Sequence, residues 1–265
     1  MDERDLHPMA VLAALGFEGA ADAYERGRPG YPSSAIDFLV EQLGIDGGSV
    51  LVDLAAGTGK LARSFLGTGA TIVAVEPLEG MRRKLVEMVP QAEVRQGTAE
   101  AIPLPDASVD VVVCGQAFHW FASHATLREI HRVLRGPTSG GLGLMWNVRD
   151  RSVDWVARLY EIIDEPAGAR SPAHRYGSGL WRRSFEETEL FTALQERSFP
   201  HRQVARPQTI QAQVASLSFI GAMPEAQRQE VLDRVGELLA THPATGGQEQ
   251  IVLLYETRVY WCRSR

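Results

Sequence analysis

The chain has 265 residues, 45% of them hydrophobic, which is enough to bury a substantial core as a single α/β domain carrying a cap. Its formal net charge of −6 excludes a bulk electrostatic attraction to nucleic acid, and two cysteines are too few for a disulfide scaffold, so Cys114 and Cys262 are expected as buried thiols in strands. No apolar run is long enough to cross a bilayer and the start Met1-Asp2-Glu3-Arg4-Asp5 has no signal-peptide pattern, so no membrane partner and a cytoplasmic location are expected.

Residues 1–32 read as an N-terminal arm ending in Tyr24-Glu25-Arg26-Gly27-Arg28-Pro29-Gly30-Tyr31, a run of aromatics, arginines and turn formers. A helix follows at about Ser33–Leu43, with Ile36, Leu39, Val40 and Leu43 on one side. The next stretch, Val50-Leu51-Val52-Asp53-Leu54-Ala55-Ala56-Gly57-Thr58-Gly59, is an apolar strand that ends in an acid and breaks into a small-residue turn, with a helix opening at Lys60. Glycine there lets backbone approach a ligand, and the helix start presents unpaired N–H groups. A phosphate loop would need glycine at Leu54 and a hydroxyl at Leu61, so that reading fails. A dinucleotide fingerprint has Ala62 at its third glycine position, which weakens it without excluding it. The third reading is an acid followed by a glycine turn: Asp53, Ala55, Gly57 and Gly59.

A second strand, Ala70–Val75, ends in Glu76-Pro77, where a carboxylate is placed to accept both hydroxyls of a ribose. Leu78, Met81, Leu85 and Met88 then keep helical spacing, and Arg82-Arg83-Lys84 is expected as a solvated face of that helix. A polar loop through Thr98-Ala99 leads to a strand that ends in Gly115-Gln116-Ala117-Phe118-His119-Trp120-Phe121. Ligands in open α/β sheets sit beyond the carboxyl ends of the strands, so this run is expected to line the cleft. His119 is the candidate base, since histidine titrates near neutrality; a wall role and a packing role remain open beside it. His119, His124 and His131 form no recognised metal-ligand spacing.

A fifth strand at 141–147 precedes a helix with Ser152 as N-cap and Trp155, Leu159, Ile162 and Ile163 facing inward. Residues 165–180 read as a loop. Leu194–Val204, two helices at about 208–218 and 225–240, and a last strand Ile251–Cys262 complete the chain. The alternation over 49–147 implies a mainly parallel sheet with right-handed crossovers, and 148–250 includes insertions that form part of a cap.

The tract from Asp53 to Asn147 resembles the class I S-adenosylmethionine (SAM) methyltransferases of the small-molecule type 11 group, in particular a bacterial branch carrying DLAAGTGKL, GTAEAIPLPDASVD and QAFHWF. The resemblance reaches back to Tyr24–Pro32. It implies a Rossmann-like sheet with an antiparallel C-terminal strand. It further implies SAM as cofactor, S-adenosylhomocysteine (SAH) as product, and a small organic methyl acceptor. Asp53, Ala55, Gly57 and Gly59 would hold the methionine half, Glu76 and Pro77 the ribose, and Thr98-Ala99 the adenine edge. Gln116 would contact the cofactor, and the arm would fold over the site with Tyr24 or Arg28 near the methionine carboxylate. Phe118, His119, Trp120 and Tyr31 would shape the acceptor pocket. Oxygen is the first expectation for the methylated atom. The sequence departs from the family at Ala55, usually glycine, and at Thr98, usually aspartate. A nicotinamide-dependent oxidoreductase and a non-catalytic SAM-binding protein stay open as alternatives, and the state of assembly, monomer or homodimer, is not read.

Overall fold

The computed structural model describes residues 21–136, 140–167, 176–186 and 188–265. The first 20 residues of the expected arm, and residues 168–175 of the expected loop at 165–180, lie outside the described residues.

Seven strands form one sheet: β1 (Val50–Leu54), β2 (Thr71–Val75), β3 (Glu93–Arg95), β4 (Val111–Gly115), β5 (Gly141–Arg149), β6 (Gln195–Ala205) and β7 (Ile251–Arg263). Their order is β3-β2-β1-β4-β5-β7-β6. Pairs from β3 to β5 are parallel, and β7 runs antiparallel to both β5 and β6. The order reverses at β1 and β4, so the crevice opens beyond the carboxyl ends of those strands. The reversed β7 departs from the dinucleotide-binding arrangement, which has six parallel strands.

The central strands are buried on both faces, as apolar runs without polar alternation require. Val111, Val113 and Met145 pack under helix α2 (Ser33–Leu43) through Ala35, Ile36 and Leu39. Val112, Cys114, Leu142 and Leu144 face the opposite layer, where α5 (His124–Val133) supplies Leu127 and Ile130. Between them in the chain lie α3 (Lys60–Ser64) and α4 (Glu79–Met88), and the arm opens with α1 (Ala21–Gly27). Ser123 caps α5 by accepting from Thr126 N at 3.1 Å.

Strands β6 and β7, of 11 and 13 residues, are the longest in the sheet, followed by β5 with nine. The far ends of β6 and β7 stay paired with each other, run on past the end of β5, and carry Ala205, Ile251, Leu253 and Tyr255 into a second core. That core is the cap, built from α6 (Asp154–Ala167), α8 (Pro207–Ala215), α9 (Ser218–Gly221) and α10 (Glu225–Thr241). A short 3-10 turn, Leu180–Arg182, runs into α7 (Arg183–Glu186) on the other side of the cleft.

Several expectations change. Ser152 does not cap α6: its N and Oγ both bond Asp150 Oδ1, at 2.9 and 2.7 Å, because an Asx turn competes with capping there. The helix expected at 208–218 breaks at Ser216 into α8 and α9, and the loop expected from 165 starts inside α6. The run Arg82-Arg83-Lys84 is not uniformly solvated. Only Arg83 points outward; Lys84 pairs with Asp22 on α1 at 2.6 Å, and Arg82 donates to the carbonyls of Glu76 and Pro77. Among the described residues no helix is long and apolar enough to cross a membrane.

Candidate active site

The turn after β1 is shaped by backbone that favours glycine. Gly57 and Gly59 hold φ of 57° and 82°, and Ala55 holds φ of 56°, so the residue that departs from the family pattern carries left-handed strain. A Cβ on Gly59 would also stand 2.6 Å from Val89 Cγ2. The turn is pinned from two sides: Gly59 N donates to Ala56 O at 2.9 Å, and Gly57 N donates to Glu76 Oε2 at 2.9 Å. Glu76, only 4% exposed, takes Leu78 N with Oε1 at 2.9 Å.

Asp53 lies 1% exposed at the carboxyl end of β1. Its Oδ2 accepts from Ala62 N at 2.8 Å, while buried Oδ1 has no hydrogen-bond partner among the described residues. Burial pushes Asp53 up to about 8; the Ala62 N–H pulls the other way, less strongly than burial, and the Glu76 carboxylate adds a smaller rise. A cation placed beside it would favour loss of this proton and leave a carboxylate to accept from that cation.

The arm closes over this turn. Glu25 on α1 accepts from Thr58 Oγ1 at 2.6 Å and pairs with Arg63 at 2.9 Å and Lys60 at 3.2 Å. Farther along, Arg28 donates from Nε to Ser216 Oγ at 3.1 Å, Gln213 Nε2 donates to Gly27 O at 2.7 Å, and Asn147 Nδ2 donates to Gly30 O at 2.9 Å. Tyr31 reaches the end of β4, where a Cβ on Gly115 would overlap its Oη. Tyr24 ends near the Gly57 turn, under the Arg28 guanidinium at 5.3 Å.

A cleft of about 550 Å³ lies beside this corner, between the arm, the end of β5 and the cap. Tyr24, Arg28, Gln116, His119 and Trp120 all line it, so five of the sequence-predicted residues meet on one surface. Gln116 is held in strained backbone, with φ of 63°, while its N–H donates to Met145 O at 2.8 Å. Trp146 Nε1 donates to His119 Nδ1 at 3.2 Å. An indole only donates, so a neutral His119 ring carries its hydrogen on Nε2. Phe118 is placed elsewhere: it is fully buried against Phe121, Trp181 and Phe185, anchoring the turn that presents His119 and Trp120. Ala99 is buried and Thr98 half-buried in the loop after β3, beside Glu76 in the fold only through the β2–β3 pairing.

The sequence reading missed Arg149, Tyr160, Tyr176 and Gln213, all of which stand at or behind the cleft wall. Arg149 is the last residue of β5, so the same strand-end rule that found His119 could have found it. Tyr160 and Gln213 arrive on cap helices, and no local signal marks them.

Comparison with known proteins agrees with this geometry. A family model described as a methyltransferase domain matches residues 52–139. An uncharacterized methyltransferase of Mycobacterium tuberculosis is 40% identical over 244 residues, covering 92% of this chain and 93% of that protein. An uncharacterized methyltransferase-like protein of Schizosaccharomyces pombe is 34% identical over 238 residues, covering 89% of this chain and 91% of its own length. In fold, the chain is similar to a candidate type II methyltransferase from Anaeromyxobacter dehalogenans, at a TM-score of 0.65 and 20% identity over 89% of this chain and 97% of that one. The strand order, the acid-tipped glycine turn and these relatives together place the chain in the class I SAM-dependent methyltransferases of the type 11 family.

Proposed function

We propose that this protein transfers a methyl group from SAM to an oxygen atom of a small organic acceptor bound in the 550 Å³ cleft. The observation that carries the reading is the buried, unpartnered Oδ1 of Asp53 beside the glycine turn. The α-ammonium of SAM is the donor that such an oxygen lacks, so the residues present fit the cofactor. When bound, SAM supplies a methyl carbon activated by its sulfonium.

The chain's own residues then bind and orient. Asp53 takes the ammonium, and the Gly57–Gly59 turn admits the methionine half. Glu76 accepts from the ribose hydroxyls, with Pro77 shaping the turn behind it. The Ala99 backbone and Thr98 meet the adenine edge, and Gln116 borders the methionine half. Arg28, whose hydrogen-bond acceptors Ser216 Oγ and O are neutral, receives the methionine carboxylate. Tyr24 and Tyr31 roof the site and exclude water.

His119 is assigned to orienting the acceptor rather than to removing its proton. Its Nδ1 lone pair is taken by Trp146, so the ring offers Nε2–H, a donor. Trp120 supplies the neighbouring wall. A cleft of this size suits a small molecule, within the range of about 300–1,000 Å³ for such sites.

Calorimetric titration with SAM, SAH and NAD tests the cofactor assignment. Micromolar binding of the first two and none of NAD is expected; binding of NAD alone overturns it. With an acceptor in hand, SAH release by His119→Ala separates the roles. An orienting His119 raises the acceptor KM and lowers kcat by less than about threefold, whereas a base role lowers kcat by about a hundredfold or more.

A further inference from the structure

The cleft is lined by four arginines, Arg28, Arg149, Arg151 and Arg258, against one carboxylate, Asp164. Two of the four are already neutralised: Arg151 pairs with Asp164 at 3.4 Å, and Arg258 with Glu256 at 2.5 Å. Arg28 lies on the arm with Tyr24, on the side of the Gly57 turn, and belongs to the cofactor half of the site. Arg149 is left. It is 8% exposed, yet its Nη2 donates to the Gln213 amide oxygen at 2.5 Å and its Nε to Tyr255 Oη at 3.4 Å, both neutral. The rings of Tyr160 and Tyr255 flank it at 5.9 and 6.0 Å. No carboxylate among the described residues pairs with it.

A buried guanidinium whose hydrogen-bond partners are neutral, and whose charged neighbour is a second guanidinium, Arg28, is expensive, because burial removes its hydration and no anion returns the lost charge interaction. Arg149 therefore stands ready for an anion that enters the cleft. Its position, at the end of β5, is two strands along the sheet from the Asp53 corner of β1; it lines the large cleft and also borders Arg28, Tyr24 and Gln116. The cleft it lines also carries the apolar or aromatic Trp120, Tyr160, Ile163, Leu217 and Phe219, beside polar Gln116, Asn147 and Ser218.

Resting on the methyltransferase reading above, we propose that the acceptor is an organic carboxylate with an aromatic or otherwise apolar body, and that Arg149 receives its carboxylate group. The planar fork of arginine matches the two oxygens of a carboxylate, and the flanking tyrosines hold that fork in place.

The test uses the full chain saturated with SAH and titrated with benzoate, phenylacetate and indole-3-acetate, each beside its primary amide. At least one carboxylate is expected to bind about tenfold or more tighter than its amide. Arg149→Met is expected to lose about tenfold or more of that affinity while SAH affinity changes by less than about threefold. Arg149→Lys, which keeps charge without the fork, is expected to fall between the two. Amides that bind as well as the carboxylates, or no carboxylate binding to the SAH complex, overturn the proposal. A matching loss of SAH affinity in Arg149→Met also overturns it, by assigning Arg149 to the cofactor. Should that variant not fold, the carboxylate–amide comparison and Arg149→Lys decide by the same criteria. Failure of SAH itself to bind would sink the methyltransferase site reading and this inference with it.

Discussion

Burial and the Glu76 carboxylate push Asp53 up to about 8, so the cofactor-free protein keeps this proton through neutrality. The unfolded chain releases it near the ordinary value of 3.8. Between those values the folded state binds more protons than the unfolded one, so this group lowers stability as pH rises from about 4 to about 8. Cofactor affinity runs the other way, since the ionised carboxylate is what holds the ammonium. SAH affinity is expected to rise with pH up to about 8, by as much as about tenfold per unit, and then level off. Asp53→Asn should bind weakly at every pH. Calorimetry between pH 6 and 9 reads both, and a flat profile in the unaltered protein would refute the role given to Asp53.

Two elements depend on contacts that a single substitution removes. The β1–α3 turn needs Gly59 twice over, for its φ of 82° and for the 2.6 Å approach of Val89 Cγ2. Gly59→Ala is therefore expected to cost about 2–4 kcal/mol, read as a lower denaturation midpoint at unchanged slope. The arm helix α1 is held by Glu25, whose carboxylate meets Thr58, Lys60 and Arg63 with a side chain only 14% exposed. Glu25→Ala leaves two cations without their partner. It should cost about 2 kcal/mol and loosen the arm. Faster amide exchange confined to residues 21–31, with weaker SAH binding, is the expected signature. Uniform exchange across the chain would show that Glu25 supports the fold generally rather than the arm.

At the level of the whole molecule the cap and the sheet are joined through the β6–β7 ladder and, by way of α6, through the end of β5. Strands β6 and β7 pair from Gln195 opposite Trp261 to Ala205 opposite Ile251, and the far half of that ladder carries the cap core. Cap, arm and sheet meet at Gln213, which donates to Gly27 O and accepts from Arg149. A ligand in the cleft touches all three parts, so binding should stabilise them as one unit. SAH at about a hundred times its Kd adds about 2.7 kcal/mol, equivalent to about 5 °C in melting temperature for a chain of this size. A single cooperative transition that shifts as a whole is expected. Splitting into two transitions on SAH addition would show that the cap melts independently.

The sequence alone determined the β1 corner, the acids closing β1 and β2, helix α2 with its buried Ile36, Leu39 and Leu43, and the strand ends that reach Gln116 and His119. Those features are local: turn chemistry and side-chain periodicity are written within a few residues of the atoms they place. The tertiary structure alone decided which way His119 is protonated, since Trp146 comes from the neighbouring strand. It turned Phe118 into the core, tied Arg28 to Ser216 across 188 residues, and set Arg149 on Gln213 across 64. Such contacts join segments far apart in the chain, and no local pattern of turn chemistry or periodicity encodes them.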